Sequence, residues 1–260
     1  MKESRLLRFL ILFFATAFFA GCATLYETAF QSPFAQEQAM SILSLMEDQG
    51  EKASCLYTAG KLVAKNWWYG ETESDILIAG NRRPLKLKIE ITHPWGQPIL
   101  HILIQPQRLE VLSFADKKLY LGEPRPDILS KFLPGELDPD VIWTALRGYP
   151  RLRSHKRVAS LKANQISLFD GEDGEVEILD FYPENTLPRS ASFPLQDLNL
   201  AFSDFQMSEG ILYAREVHVE HTRGKGSLIL STRETVFNRA IPEEIFTIEK
   251  PPGFETHYLN

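Results

Sequence analysis

The 260-residue chain has two cysteines, Cys22 and Cys55. Two cysteines allow one bridge at most, so no disulfide framework holds this fold. Catalytic signatures are also missing. There is no GxSxG, no glycine-rich phosphate loop, no HExxH and no CxxC. The six histidines are scattered, and the nearest pair, His218 and His221, sits in a strand-like run. Three residues apart on a strand means opposite faces, so the pair is not expected to converge on a metal. Acidic pairs such as Glu243-Glu244 and Glu175/Glu177 read as surface charge in a chain with 34 acidic residues. We therefore expect neither an enzyme nor a cofactor. An excess of positive charge is lacking too: the formal net charge is −6. That argues against a nucleic-acid partner.

The N-terminus carries the first positive signal. Lys2, Arg5 and Arg8 precede an apolar run from Phe9 to Ala20. Twelve residues suit a signal-peptide core and fall short of the about 20 needed to span a bilayer. The run ends in Phe19-Ala20-Gly21-Cys22, which resembles the lipobox of bacterial lipoproteins. That resemblance implies removal of residues 1–21 and lipid attachment at Cys22. The residue after Cys22 is Ala23 rather than Asp, which by the same resemblance implies the outer membrane, facing the periplasm. Cleavage would leave 25 basic and 33 acidic residues, a net charge of −8. Membrane attachment would then rest on lipid and apolar contact, not on attraction to anionic lipid. With Cys22 lipidated, Cys55 is expected to be a buried small apolar residue.

Residues 22–34 read as a tether and 35–260 as a single domain. Within 35–49, Ala39, Ile42, Leu43 and Met46 recur at helical spacing, and Gly50 follows as a stop. From Leu56 the period changes to two. In "LKLKIEIT" at 85–92, Leu85, Leu87, Ile89 and Ile91 face one way and the polar residues the other. Similar runs at 56–64, 74–79, 99–105, 108–114, 117–121, 165–169, 175–181, 198–205, 211–221, 226–231 and 244–248 are joined by short turns. The pattern predicts a mainly β fold, a curved antiparallel sheet of about eleven strands forming an incomplete barrel.

One helical stretch, about 124–147, interrupts the strands. Asp138 fits an N-cap, Pro139 the first helical position, and Gly148 the residue that ends the helix. Val141, Ile142, Trp143, Ala145 and Leu146 make it apolar on most sides, which predicts a buried lid over the concave face. Beneath it lies either an apolar cavity or a fully packed core.

Between two strands stands "ITHPWGQPIL". His93-Pro94-Trp95-Gly96 fits a type I turn with proline at i+1 and glycine at i+3. Trp95 would project from the tip. It either folds back on its own sheet or enters a membrane interface, where indole is favoured.

Taken together, the lipobox, the early helix, "LKLKIEITHPWGQPILHILI" at 85–104, "KLYLGEP" at 118–124, "IWTALRGYP" at 142–150 and "EEIFTIEKPPGFE" at 243–255 resemble LolB of the LolA/LolB lipoprotein-localisation superfamily. The family's tip residue is an aliphatic leucine; here it is Trp95. The resemblance implies a half-barrel with a helical lid and a cavity that accepts acyl chains. It implies acylated lipoprotein cargo received from a periplasmic LolA-like carrier, and a monomer whose Pro94-Trp95-Gly96 loop drives insertion into the membrane. The expected cavity residues are Leu87, Ile89, Ile91, Leu100 and Ile102, with Trp143 and Leu146 from the lid. Two other functions fit the same residues: a carrier or sensor of another lipid or hydrophobic ligand, and a structural envelope lipoprotein without a ligand.

Overall fold

The structure, a computed structural model, describes residues 32–66, 70–133, 136–171, 174–221 and 226–260. The signal peptide, Cys22 and the tether up to residue 31 lie outside the described residues. Helix α1 (Gln36–Glu51) leads into a meander of six strands: β1 (Cys55–Asn66), β2 (Gly70–Arg82), β3 (Leu85–Thr92), β4 (Pro98–Gln105), β5 (Arg108–Ser113) and β6 (Lys118–Gly122). Two lid helices follow, α2 (Pro126–Leu129) and α3 (Pro139–Arg147). A second meander holds β7 (Arg157–Ala159), β8 (Gln165–Phe169), β9 (Glu175–Phe181), β10 (Pro188–Phe193), β11 (Leu198–Ser208), β12 (Ile211–His221) and β13 (Ser227–Phe237). A short β14 (Glu255–Tyr258) closes the chain.

The fourteen strands form one sheet in the order β14-β6-β5-β4-β3-β2-β1-β13-β12-β11-β10-β9-β8-β7. The two meanders join where β1 pairs with β13, and among the described residues only the β14–β6 pair is parallel. β14 and β7 do not pair with each other, so the sheet is an open half-barrel rather than a closed one.

Alternation decides which side chains enter the concave face. In β3, Leu87, Ile89 and Ile91 are buried. They stand opposite Ile104, Ile102 and Leu100 of β4. Ile102 and Ile104 in turn oppose Val111 and Leu109 of β5. These apolar cross-strand pairs are the unit of sheet stabilisation. The outward residues of β3 are polar, with Lys88 pairing Glu90 at 3.0 Å. Helix α1 lays Ala39, Leu43 and Met46 into the same core. It runs through Gly50 to Glu51 instead of stopping at the glycine. Phe34, placed in the tether by its sequence, is buried against Phe181, so the folded body begins there.

The 244–248 stretch forms a 3₁₀ turn (Glu243–Phe246), not a strand. Prolines bracket it at 242 and 251. Its one buried side chain, Phe246, docks on the convex face against Ala79 and Leu103. Three strands carry no clear alternation of their own: β7, β10 and β14. β10 begins with proline and is rich in serine, yet β9 and β11 capture it from both sides.

Candidate functional site

The hairpin between β3 and β4 is tied by two backbone bonds. The Gly96 amide donates to the His93 carbonyl at 2.8 Å, and the His93 amide to the Gln97 carbonyl at 2.8 Å. Gly96 has φ +87°, the left-handed region that glycine enters without strain. Trp95 sits beyond Pro94 and is 69% exposed. It does not fold back on the sheet. The His93 ring stacks on it at 4.3 Å, and its indole N–H donates to Gln97 Oε1 at 3.2 Å. The tip therefore presents a large apolar ring braced by its own loop.

The lid is built as its caps foretell. Asp138 Oδ1 accepts the Val141 amide at 2.8 Å. Gly148 ends the helix at φ +69°, and its amide returns to the Thr144 and Ala145 carbonyls. Gly148 also touches β12, where the Ala214 amide donates to its carbonyl at 2.7 Å. A Cβ at residue 148 would run into the Ala214 backbone. Trp143 projects down onto Gly80 of β2 and is 2% exposed. A Cβ at Gly80 would lie 2.9 Å from Leu87 and 3.1 Å from the Trp143 ring. The missing side chain of Gly80 is the hole that the indole fills.

Leu87, Ile89, Ile91, Ile102, Trp143 and Leu146 are all buried in one cluster, with Leu100 packed on its margin. The structure packs them into one buried cluster. A cleft of about 700 Å³ opens elsewhere, and none of the seven lines it. It runs between Glu47 of α1, the start of α3, residues 151–155 and the β10–β11 turn.

Polar groups lock the lid at both ends. At its start, Asp138 also accepts from Gln196 Nε2 at 2.9 Å and pairs with Arg153. Burial opposes ionisation of Asp138, but these hydrogen bonds outweigh it and hold the carboxyl below its usual range. At its end, buried Arg147 donates to the Leu212 carbonyl of β12 at 2.6 Å and the Gln49 carbonyl of α1 at 2.8 Å. Tyr149 and Phe237 flank its guanidinium at 4.7 and 5.8 Å. Burial without a carboxylate partner lowers its pKa to about 10.

Glu177 departs from the sequence reading. It is fully buried, with the Arg153 amide on Oε2 at 2.8 Å and no partner on Oε1. Burial pushes its carboxyl up to about 7, against the Arg153 amide and charge. The signal was in the strand phase: Glu177 alternates with Leu179 and Phe181, both buried. His218 and His221 are half-buried on β12. Arg147 carried no local signal, because its partners come from elements far off in sequence.

Among the described residues no group of His, Cys, Asp and Glu could hold a metal, and no helix is long and apolar enough to cross a membrane. No protein-family profile matches the chain, and no curated protein does. Solved structures do. A LolA superfamily protein from Nitrosomonas europaea aligns at a TM-score of 0.51 and 16% identity, covering 81% of this chain and 97% of that one. A DUF1329 family protein from Desulfovibrio piger aligns at a TM-score of 0.56 and 11% identity, covering 81% and 96%. The chain thus has the open-barrel fold of the LolA superfamily.

Proposed function

We propose that this chain is a non-enzymatic lipoprotein of the outer membrane, anchored through Cys22 and facing the periplasm. It receives acylated lipoproteins from a LolA-like carrier, as a monomer, and inserts them into the bilayer. The observation that carries this reading is Trp95. A large apolar ring held out from a braced hairpin has no packing role, and indole is favoured at a membrane interface. The strands behind it continue into the apolar concave face, a path for chains leaving the interior. Lifting α3 would withdraw Trp143 from the hole over Gly80 and expose Leu87, Ile89, Ile91, Leu100, Ile102 and Leu146 to an acyl chain. Each methylene buried contributes about 0.8 kcal/mol, so transfer needs no nucleotide if each acceptor binds more tightly than the donor.

The test is delivery of a labelled lipoprotein from a periplasmic carrier to liposomes. Trp95→Glu should fold, still take up acyl chains and fail in delivery. Normal delivery by that variant would sink the reading. A second reading, a structural envelope lipoprotein without a ligand, is favoured by the packed interior. It predicts no lipid in the purified protein by mass spectrometry and no uptake of cargo.

A further inference from the structure

A groove opens beside the first turns of α1, where the described chain begins. Phe34, Glu37, Gln38, Ser41 and Ile42 line about 350 Å³ of it with Thr186 of the β9–β10 turn, and most of the surface they present is apolar. Two of its polar side chains are already engaged. Gln38 Oε1 accepts the Ala35 amide at 3.1 Å, and Thr186 Oγ1 donates to the Asn185 carbonyl at 2.7 Å. Glu37 sits in the first turn of α1, where the helix dipole favours a carboxylate, and its charge opposes an anionic occupant. The groove therefore suits a neutral apolar group. Phe34 fixes where the chain enters. Its amide donates to Ser160 Oγ at 2.9 Å, and its ring meets Phe181 edge-on at 5.9 Å. The preceding residues 22–31 read "CATLYETAFQ". A solvated linker is built from glycine, serine, proline or charge. This one has a single charged residue, Glu27, and three large apolar side chains, Leu25, Tyr26 and Phe30. Phe30 is the nearest, four residues before Phe34 and within about 14 Å of it along an extended chain. A benzene ring fits a cavity of about 150 Å³, so the groove has room for one phenylalanine ring and its backbone.

We propose that this groove is the docking seat of the chain's own N-terminal segment, with the Phe30 ring lying against Phe34, Ile42 and Thr186. The end of the tether then belongs to the folded body, and the free length shrinks. From Cys22 to Phe34 is twelve residue steps, about 41 Å at full extension; from Cys22 to Phe30 is eight, about 27 Å. The docking does not depend on a lipid at Cys22. Only its consequence, a body held about 14 Å closer to the membrane, rests on the function proposed above.

The test is chymotrypsin cleavage of the chain from residue 22 with Cys22→Ala, with the cut after Phe30 followed by mass spectrometry. Ser41→Lys and Thr186→Lys each place a charged side chain in the groove. Both positions are exposed and lie on separate elements, so the variants should fold with unchanged unfolding midpoints. Either should speed the cut after Phe30 by at least about threefold, because cleavage follows the undocked population. The slow rate of the parent should be the same in dilute and in concentrated protein. Equal rates in the parent and both variants would overturn the proposal. Protection that fades on dilution would assign the groove to a second copy of the chain and overturn it as well.

Discussion

Trp143 and Trp95 are the same side chain in opposite roles. Trp143 is 2% exposed, on a helix that the sheet has made room for; Trp95 is 69% exposed, on a turn that braces it with His93 and Gln97. The lid is held at several points: Asp138 by three donors, Arg147 by two carbonyls and two rings, Gly148 by β12. The tip is held only within its own loop, by two backbone bonds, the His93 ring and Gln97. The difference shows that an apolar residue's role follows from what lies over it, not from its own hydrophobicity. Stability resides in the lid and contact with the outside resides in the tip.

The largest expected effect is on the lid. Trp143→Ala empties the hole above Gly80 and should destabilise the fold by about 3–5 kcal/mol in denaturant unfolding. A loss under about 1 kcal/mol would mean that the lid is not part of the cooperative core. Next comes the buried carboxyl beside it. Glu177 is raised from 4.5 to about 7 in the fold, so between those values the folded state holds a proton that the unfolded state has released. Its contribution is therefore fully present below about pH 4.5 and is lost as pH rises toward and through 7. Glu177→Gln should flatten that decline and be the more stable form at pH 8, by an amount on the order of 3 kcal/mol. Parallel stability–pH curves for the two proteins would show that Glu177 is solvated.

Gly80→Ala should cost about 1–3 kcal/mol by crowding Leu87 and Trp143. The cost should shrink in a Trp143→Leu background, which a double-mutant cycle reads directly. If the cycle shows no coupling, the indole does not sit over Gly80. Smallest is the tip: Trp95→Ala should change stability by less than about 0.5 kcal/mol. A loss comparable to that of Trp143→Ala would erase the contrast between the two regions and make Trp95 a core residue.

Much of this was legible along the chain. The period-two run at 85–92 identified the buried face of β3, and Asp138, Pro139 and Gly148 bounded α3. The His93–Gly96 turn was legible from proline and glycine alone. β10 was not, because Pro188 and the three polar residues among its six form a strand only when β9 and β11 offer paired backbones. The turn at Glu243–Phe246 misled in the other direction. "EIFTI" has strand composition, but one docked phenylalanine on the convex face outweighs it.

By itself the sequence determined the local rules: period two in the strands, the lid's caps, the turn at Trp95, and which residues share a face. Those depend on backbone geometry and on neighbours a few positions away. Only the tertiary structure decided that Trp143 and the inward residues of β3 and β4 pack into one buried cluster, that Glu177 and Arg147 are sealed inside, and that four arginines and three carboxylates from distant segments border two adjoining clefts. The physical reason is that burial and charge are properties of what arrives from elsewhere. Gly80 and Trp143, or Arg82 and Arg151, meet because the sheet curls and the lid crosses it, and no local pattern encodes that meeting.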